Sequence, residues 1–406
     1  MRPSHSRAAA LLLGTFVACG LVAATLAARH THDAASSPLH PSGGWRAVWI
    51  VSVSGAFVAY VAGAALLRRT RGHLGLVLAI AAVVQLAPLA GPLLLSTDAY
   101  TYWEYGRLAD AHHANPYRTA PNRFPDDPAY LRMGSSWRSD TTIYGPGFTA
   151  LSRADAAVAG TSSRTAVRFY RVLGALSILA AAILAAAIAS PRRALAAAFV
   201  GWNPLLALHF AGGGHNDALM MALVLGALLL VERRRPGLAA PAWMAAISVK
   251  WIAVAFLPLV LLRERNAGRR LGLAALAMSA AVFAALATLL YGLSWTDAAG
   301  RLSSQARKTG SLGLAKWLGD VGLAHRPTVL LLGLAQLALY AWLLRSAARG
   351  RVRLGIAGTG IAALQGWLNP WYACWGVTLS AAEDDGAAQL LSILLCALVL
   401  RDALPV

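Results

Sequence analysis

Long apolar runs separated by short arginine-rich stretches set the pattern of this 406-residue chain. The runs at 8–28, 46–67, 74–95, 166–189, 194–211, 217–232, 271–292, 327–344, 354–380 and 387–402 read as membrane-crossing helices. A further run at 238–262 has basic flanks on both sides, Arg233 to Arg235 before it and Arg263 to Arg270 after it. As a single crossing it would put one flank on the opposite side and invert every later loop. As a re-entrant hairpin of two half-length helices it keeps both flanks together. The pattern predicts an all-α polytopic membrane protein of about ten transmembrane helices plus this hairpin. Residues 1–406 form one domain, with large outer loops at 96–165 and 293–326. The first is expected to hold two short surface helices.

Composition sharpens this picture. Hydrophobic residues make up 58% of the chain, charged residues 13%, and the mean hydropathy is +0.56, which excludes an ordinary soluble protein. A net charge of +19 suggests nucleic acid until the cations are placed. Nineteen of the 36 Lys and Arg residues fall in connections assigned to one side. They are Arg2, Arg7, Arg68, Arg69, Arg71, Arg192, Arg193, Arg233 to Arg235, Arg263, Arg265, Arg269, Arg270, Arg345, Arg349, Arg351, Arg353 and Arg401. Only Glu232, Glu264 and Asp402 accompany them, and Glu383-Asp384-Asp385 falls outside. That asymmetry is the positive-inside signal of a membrane protein. Cys19, Cys374 and Cys396 lie in apolar runs and read as small core residues. The run at 8–28 reads as an uncleaved first helix rather than a signal peptide. No Walker loop, zinc motif or dinucleotide fingerprint is present, so ATP-driven and redox chemistry lose support.

Ser96-Thr97-Asp98 lies where an apolar run gives way to an aromatic-rich stretch containing Tyr100, Tyr102, Trp103 and Tyr105. A carboxylate kept at a membrane edge is a functional candidate. The plainer account is that Asp98 only caps the helix suggested by 99–112. Further on stand Asn115-Pro116-Tyr117, Trp137-Arg138 and Tyr144-Gly145-Pro146, then Asn203-Pro204 and Gly214-His215-Asn216-Asp217-Ala218-Leu219. Lys250 follows in its apolar segment, ahead of Pro258. This ordered set resembles the GT-C superfamily of integral membrane glycosyltransferases, and within it the actinobacterial polyprenyl-phosphomannose-dependent α-1,6-mannosyltransferases.

The resemblance implies inverting transfer of a hexose, with mannose the indicated sugar, from a polyprenyl-phosphate carrier to a glycan or glycolipid acceptor. The site would face the extracytoplasmic side of a bacterial plasma membrane. Such a transfer needs a base for the acceptor hydroxyl, and Asp98 supplies a carboxylate. It also needs cations or oriented N–H groups for the departing phosphate. The glycines before Asp217 offer N–H groups, while His215, Asn216 and Asp217 offer phosphate or sugar contacts, against the alternative of a tight turn with a capping Asp. Lys250 is too deep to snorkel, and a phosphate contact or an internal partner such as a carbonyl accounts for it equally well. Arg307 and Lys308 lie in a cationic, Ser/Thr-rich loop suited to a phosphate clamp, although a basic helix resting on anionic headgroups is the preferred account. Tyr100, Tyr144, Trp371 and Tyr372 are candidate substrate-lining residues. For Trp367 to Trp375 an interfacial aromatic belt is preferred over sugar stacking. His30, His32, His40, His112 and His113 read as solvated loop histidines, and no metal or other cofactor is expected. A secondary transporter or lipid flippase is the alternative class, supported by the hairpin and Lys250. The absence of a second interrupted pair of helices counts against it, and a non-catalytic scaffold is weaker still.

Overall fold

The structure is a computed structural model and describes residues 3–30, 44–70, 72–266, 272–305 and 307–404. Among the described residues every regular element is a helix. Arg2, Arg71, Arg269, Arg270, His32 and His40 lie outside the described residues.

Helices α1 (Pro3–Ala28) and α2 (Gly44–Arg69) pack antiparallel, and Gly14 of α1 and Gly63 of α2 both lie against the Trp202 ring. Helix α3 (Leu74–Leu86) runs back and ends in a 3-10 turn at Ala87–Ala90, where Arg29 donates to the Ala90 carbonyl at 2.8 and 3.0 Å. The first polar segment holds α4 (Asp98–Asp110) and α5 (Pro146–Ala159). Helix α6 (Ser163–Ile188) starts where the Ser162 side chain accepts from the Thr165 N–H. Helices α7 (Arg193–Gly201) and α8 (Pro204–Ala207) form one apolar run bent by 47°. The bend has a local cause: Asn203 caps α8 by accepting from Leu205 and Leu206 N–H, and Pro204 takes the first helical position. A π-helical turn at Leu208–Gly212 follows, then α9 (Asp217–Glu232).

The chain turns back at Lys250 between α10 (Pro236–Val249) and α11 (Leu257–Asn266), which pack mainly on α9 and α15 respectively, and Glu232 and Arg263 line one cavity. Helix α12 (Leu273–Tyr291) leads to the short α13 (Ala298–Gln305) and α14 (Gly313–Asp320), and α15 (His325–Ala348) returns. Helices α16 (Leu354–Ala363), α17 (Ala373–Glu383) and α18 (Gly386–Leu400) complete the bundle. Among the described residues six helices are long and apolar enough to cross a membrane, or seven with the bent pair. The runs at Leu74–Ala90, Pro236–Val249 and Leu354–Ala363 are shorter.

The run at 354–380 is not one crossing. It breaks between α16 and α17, where Asn369-Pro370 cannot continue a helix, and the two halves pack side by side. Glu383, Asp384 and Asp385 consequently sit at the basic end. Asp384 pairs with Arg192 at 2.8 Å, and Glu383 lines the same cavity as Arg263 and Arg353. Asp385 caps α18, which then runs the other way, so Ala403 accepts from the indole of Trp49 near the start of α2. Arg401 and Asp402 therefore lie at the opposite end from Arg68, whose side chain contacts Gln389. These corrections take Arg401 out of the set of cations assigned to one side and bring three acids to that end, and acids contribute little to the positive-inside signal. Cys19 is exposed, unlike Cys374 and Cys396.

Candidate active site

Asp98 is the first residue of α4, not its cap. Thr97 takes the cap position without a side-chain hydrogen bond, and the Asp98 carboxylate turns to His215, Oδ2 to Nδ1 3.3 Å. Asp98 keeps 16% of its side chain accessible, whereas His215 is fully buried and stacked on Trp371 at 3.6 Å between ring centroids. The contact has ion-pair distance without hydrogen-bond alignment, so both ring nitrogens of His215 have no hydrogen-bond partner among the described residues. The same holds for both nitrogens of His209, 5.9 Å away in the π-helical turn, and for the Asn216 amide. Buried polar groups are almost always partnered, so this concentration beside one carboxylate marks a site rather than a packing accident.

The turn before α9 is built tightly. Gly214 has φ +76°, and a Cβ there would stand 3.2 Å from that of Tyr170. Its N–H donates to Phe210 and that of His215 to His209. These N–H groups are consumed within the turn and do not form the anion nest expected from the glycines. Asp217 is buried and accepts from Lys250 Nζ at 2.6 Å and from the Trp375 indole at 2.7 Å. The internal partner of Lys250 is thus a carboxylate, not a carbonyl. Its ammonium also stands over the Tyr372 ring at 4.9 Å and keeps 18% of its side chain accessible.

That exposed fraction opens into a cavity of about 660 Å³. Its polar end carries Tyr144, Lys250, Asn369 and Tyr372, and its body is lined by Ile252, Val254, Pro258, Leu337 and Ile361. Asp98 lies within electrostatic reach of Tyr144 and Tyr372. At another edge Trp137 and Trp367 lie parallel, 6.1 Å between centroids, with the Lys308 ammonium 5.7 and 5.2 Å from their centres and 3.8 Å from Asp140. Of the residues expected to form the site only Tyr144, Lys250 and Tyr372 line this cavity; Asp98, Tyr100, His215, Asn216, Asp217, Lys308, Trp371 and the exposed Arg307 do not. Trp367, Trp371, Tyr372 and Trp375 make these contacts inside the molecule, which replaces the aromatic-belt account. His209 went unmarked in the sequence because a single histidine in an apolar run carries no spacing signal.

The loop motifs hold the site in place. Asn115 donates to Tyr291 O at 2.7 Å and Ser294 Oγ at 2.8 Å, tying the first polar segment to the end of α12. Tyr117 Oη donates to Tyr144 O at 2.9 Å. A Cβ on Gly145 would sit 2.2 Å from Ser248 O, so only glycine lets this turn press against the end of α10 beside Lys250. Behind α4, Asp127 accepts from Arg107 and contacts His112 at 2.7 Å, so His112 is not a solvated loop residue. Burial raises Asp127, but Arg107, the Ala129 N–H and His112 outweigh it and hold the carboxyl below its ordinary range. Glu104, whose two carboxyl oxygens have no partner among the described residues, is pushed up to about 9, first by burial and then by Asp127.

The fold is that of a helical membrane protein whose polar segments close over one internal site. Residues 8–264 match the family model described as alpha-(1->6)-mannopyranosyltransferase, N-terminal domain, and the chain belongs to this family. A probable alpha-(1->6)-mannopyranosyltransferase of Mycolicibacterium smegmatis is 26% identical over 355 residues, 72% of this chain and 62% of the relative. Alpha-(1->6)-mannopyranosyltransferase A of Corynebacterium glutamicum is 31% identical over 177 residues, 41% and 34% of the two chains. The A enzyme of Mycobacterium tuberculosis is 28% identical over 264 residues, 58% and 47%. The chain thus spans between about a third and about six-tenths of the length of these relatives. No solved structure matches it.

Proposed function

We propose that the protein is an inverting glycosyltransferase that moves mannose from a polyprenyl-phosphate carrier to a glycan or glycolipid hydroxyl. The acceptor oxygen attacks the anomeric carbon, the bond from that carbon to the phosphate oxygen breaks, and the phosphate leaves with the electron pair. The acceptor proton passes to Asp98, which is partly accessible and lies within electrostatic reach of Tyr144 and Tyr372 on the cavity wall. Lys250 faces the leaving phosphate, and the apolar body of the cavity takes the first prenyl units. The observation that supports this reading is that Lys250 opens into a largely apolar cavity, with the Asp98 carboxylate within electrostatic reach of Tyr144 and Tyr372 on its wall. The sugar is proposed from the family and the printed names of the relatives.

In this reading α1, α2, α3, α6, the bent α7–α8 run, α9, α12, α15 and α18 cross the plasma membrane. The α10–α11 and α16–α17 hairpins enter and leave from the cytoplasmic, basic side. The site then faces the extracytoplasmic side. A lipid flippase remains the second reading, because two broken helix pairs meet at a buried charged pair, where only one was expected. Purified protein given polyprenyl-phosphomannose and a mannoside acceptor should extend the acceptor with inversion at the anomeric carbon. Transfer from a nucleotide-linked mannose in place of the lipid donor, or lipid translocation in proteoliposomes without any transfer, would overturn the proposal.

A further inference from the structure

We infer that the basic end carries a second binding site, for a ligand joining a phosphate to an ammonium, the chemistry of an ethanolamine phospholipid headgroup. A cavity of about 620 Å³ lies where the α6–α7 turn, the ends of α9 and α11, and the α15–α16 and α17–α18 turns converge. Its charged lining sets Arg263, Arg351 and Arg353 beside four acids, Glu232, Glu383, Asp384 and Asp385.

Most of these groups are already engaged. Glu383 accepts from the Leu354 and Gly355 N–H groups at 2.7 and 2.8 Å, and Asp385 caps α18. Arg263 Nε contacts Glu264 at 3.0 Å, and Asp384 Oδ2 contacts Arg192 at 2.8 Å. Among these engaged groups one buried atom of each sign is left over. Arg263 Nη2 and Asp384 Oδ1 are both buried without a hydrogen-bond partner among the described residues.

A simple anion placed here meets four carboxylates, and a simple cation meets three guanidinium groups. A zwitterion satisfies both: its phosphate takes the Arg263 fork with Arg351 and Arg353, and its ammonium takes the Asp384 oxygen. The location favours a lipid over a free solute. The cavity lies at the basic ends of the apolar helices, and its remaining wall includes Ile188, Leu228 and Leu379, an apolar side on which glycerol and acyl carbons can rest. The inference does not rest on the proposed transfer reaction, since none of these residues lies near Asp98.

The test uses the full chain in detergent, delipidated and then titrated with phosphatidylethanolamine, phosphatidylglycerol or free phosphoethanolamine, with bound lipid counted by native mass spectrometry. Phosphatidylethanolamine should be retained at least about tenfold more tightly than phosphatidylglycerol. Asp384→Asn, which suits the left-handed backbone at φ 52° and can still accept from Arg192, should abolish that preference. Arg263→Gln should do the same. If Arg263→Gln does not fold, Arg351→Gln at the exposed turn replaces it. Equal retention of the two lipids, or variants that keep the preference, would overturn the site. Free phosphoethanolamine binding as tightly as the lipid would overturn the membrane source.

Discussion

Replacing Asp98 with Asn is the most direct probe of the proposed chemistry, because the structure separates what the carboxylate does from what it does not do. Thr97 occupies the cap of α4, so loss of the charge does not remove a cap. As an acid in the first helical turn, Asp98 gains only about 0.3–1 kcal/mol from the helix dipole. Its contact with the buried His215 lacks hydrogen-bond alignment and only the Asp98 side is partly accessible, so it contributes roughly 0–1 kcal/mol. Folding should therefore change by no more than about 2 kcal/mol in total. As a general base the same carboxylate supplies roughly 100- to 10,000-fold, equivalent to about 3–5 kcal/mol of barrier. Asn keeps the size and the helix but cannot take the proton. Acceptor extension by purified Asp98→Asn should fall by that factor while thermal stability and donor affinity stay close to wild type. Near-native transfer by a well-folded Asp98→Asn protein would refute the mechanism, and His215 would become the next candidate for the base.

Lys250→Met should both weaken donor binding, by roughly 10- to 100-fold for a lost charge-assisted phosphate contact, and destabilise the fold by about 3–5 kcal/mol, because it strands the Asp217 carboxylate. Lys250→Met combined with Asp217→Asn should recover the stability but not the donor affinity; wild-type affinity in the double variant would make the pair purely structural. Glu104 gives a pH signature. Its ordinary value is 4.5 and the fold raises it to about 9, so stability is fully present below 4.5 and is lost as pH rises, while the unfolded chain ionises and the fold holds its proton. Between pH 5.5 and 8 wild type should lose about 3 kcal/mol relative to Glu104→Gln, read as a widening gap in Tm; parallel curves would show that Glu104 ionises normally.

The longest elements were readable because length and hydropathy suffice for them: α1, α2, α6, α12 and α15 match predicted runs. The α16–α17 break was hidden for the same reason. A sliding reading of apolar length passes over Gly366-Trp367-Leu368-Asn369-Pro370, although Asn-Pro inside an apolar run is a turn signal in its own right. Missing it reversed the assigned sides of the acid trio and of Arg401. Asp98 and His215 stood out because each is a polar residue at the end of an apolar run. Their contact, and the Asp217–Lys250 pair, depend on helix packing that local pattern does not encode.

The second hairpin changes the weight of the argument about function as well as the topology. Transport was disfavoured partly because no second interrupted helix pair was expected; among the described residues α16–α17 is a second hairpin besides the bent α7–α8 run, and the breaks at Lys250 and Asn369–Tyr372 meet at the cavity. What distinguishes the two readings is what lies over that meeting point. An alternating-access site must be released by moving one half of the bundle against the other. Here the first polar segment is fixed to α12 through Asn115, to α10 through Gly145, and across to Trp367 through Trp137 and Lys308. Those ties link both hairpins and α12 to the same segment that carries Asp98. Such an arrangement suits a reaction that needs a carboxylate held still against a bound donor, where a displacement of about 1 Å already costs rate, more than one that needs the site to open on both sides.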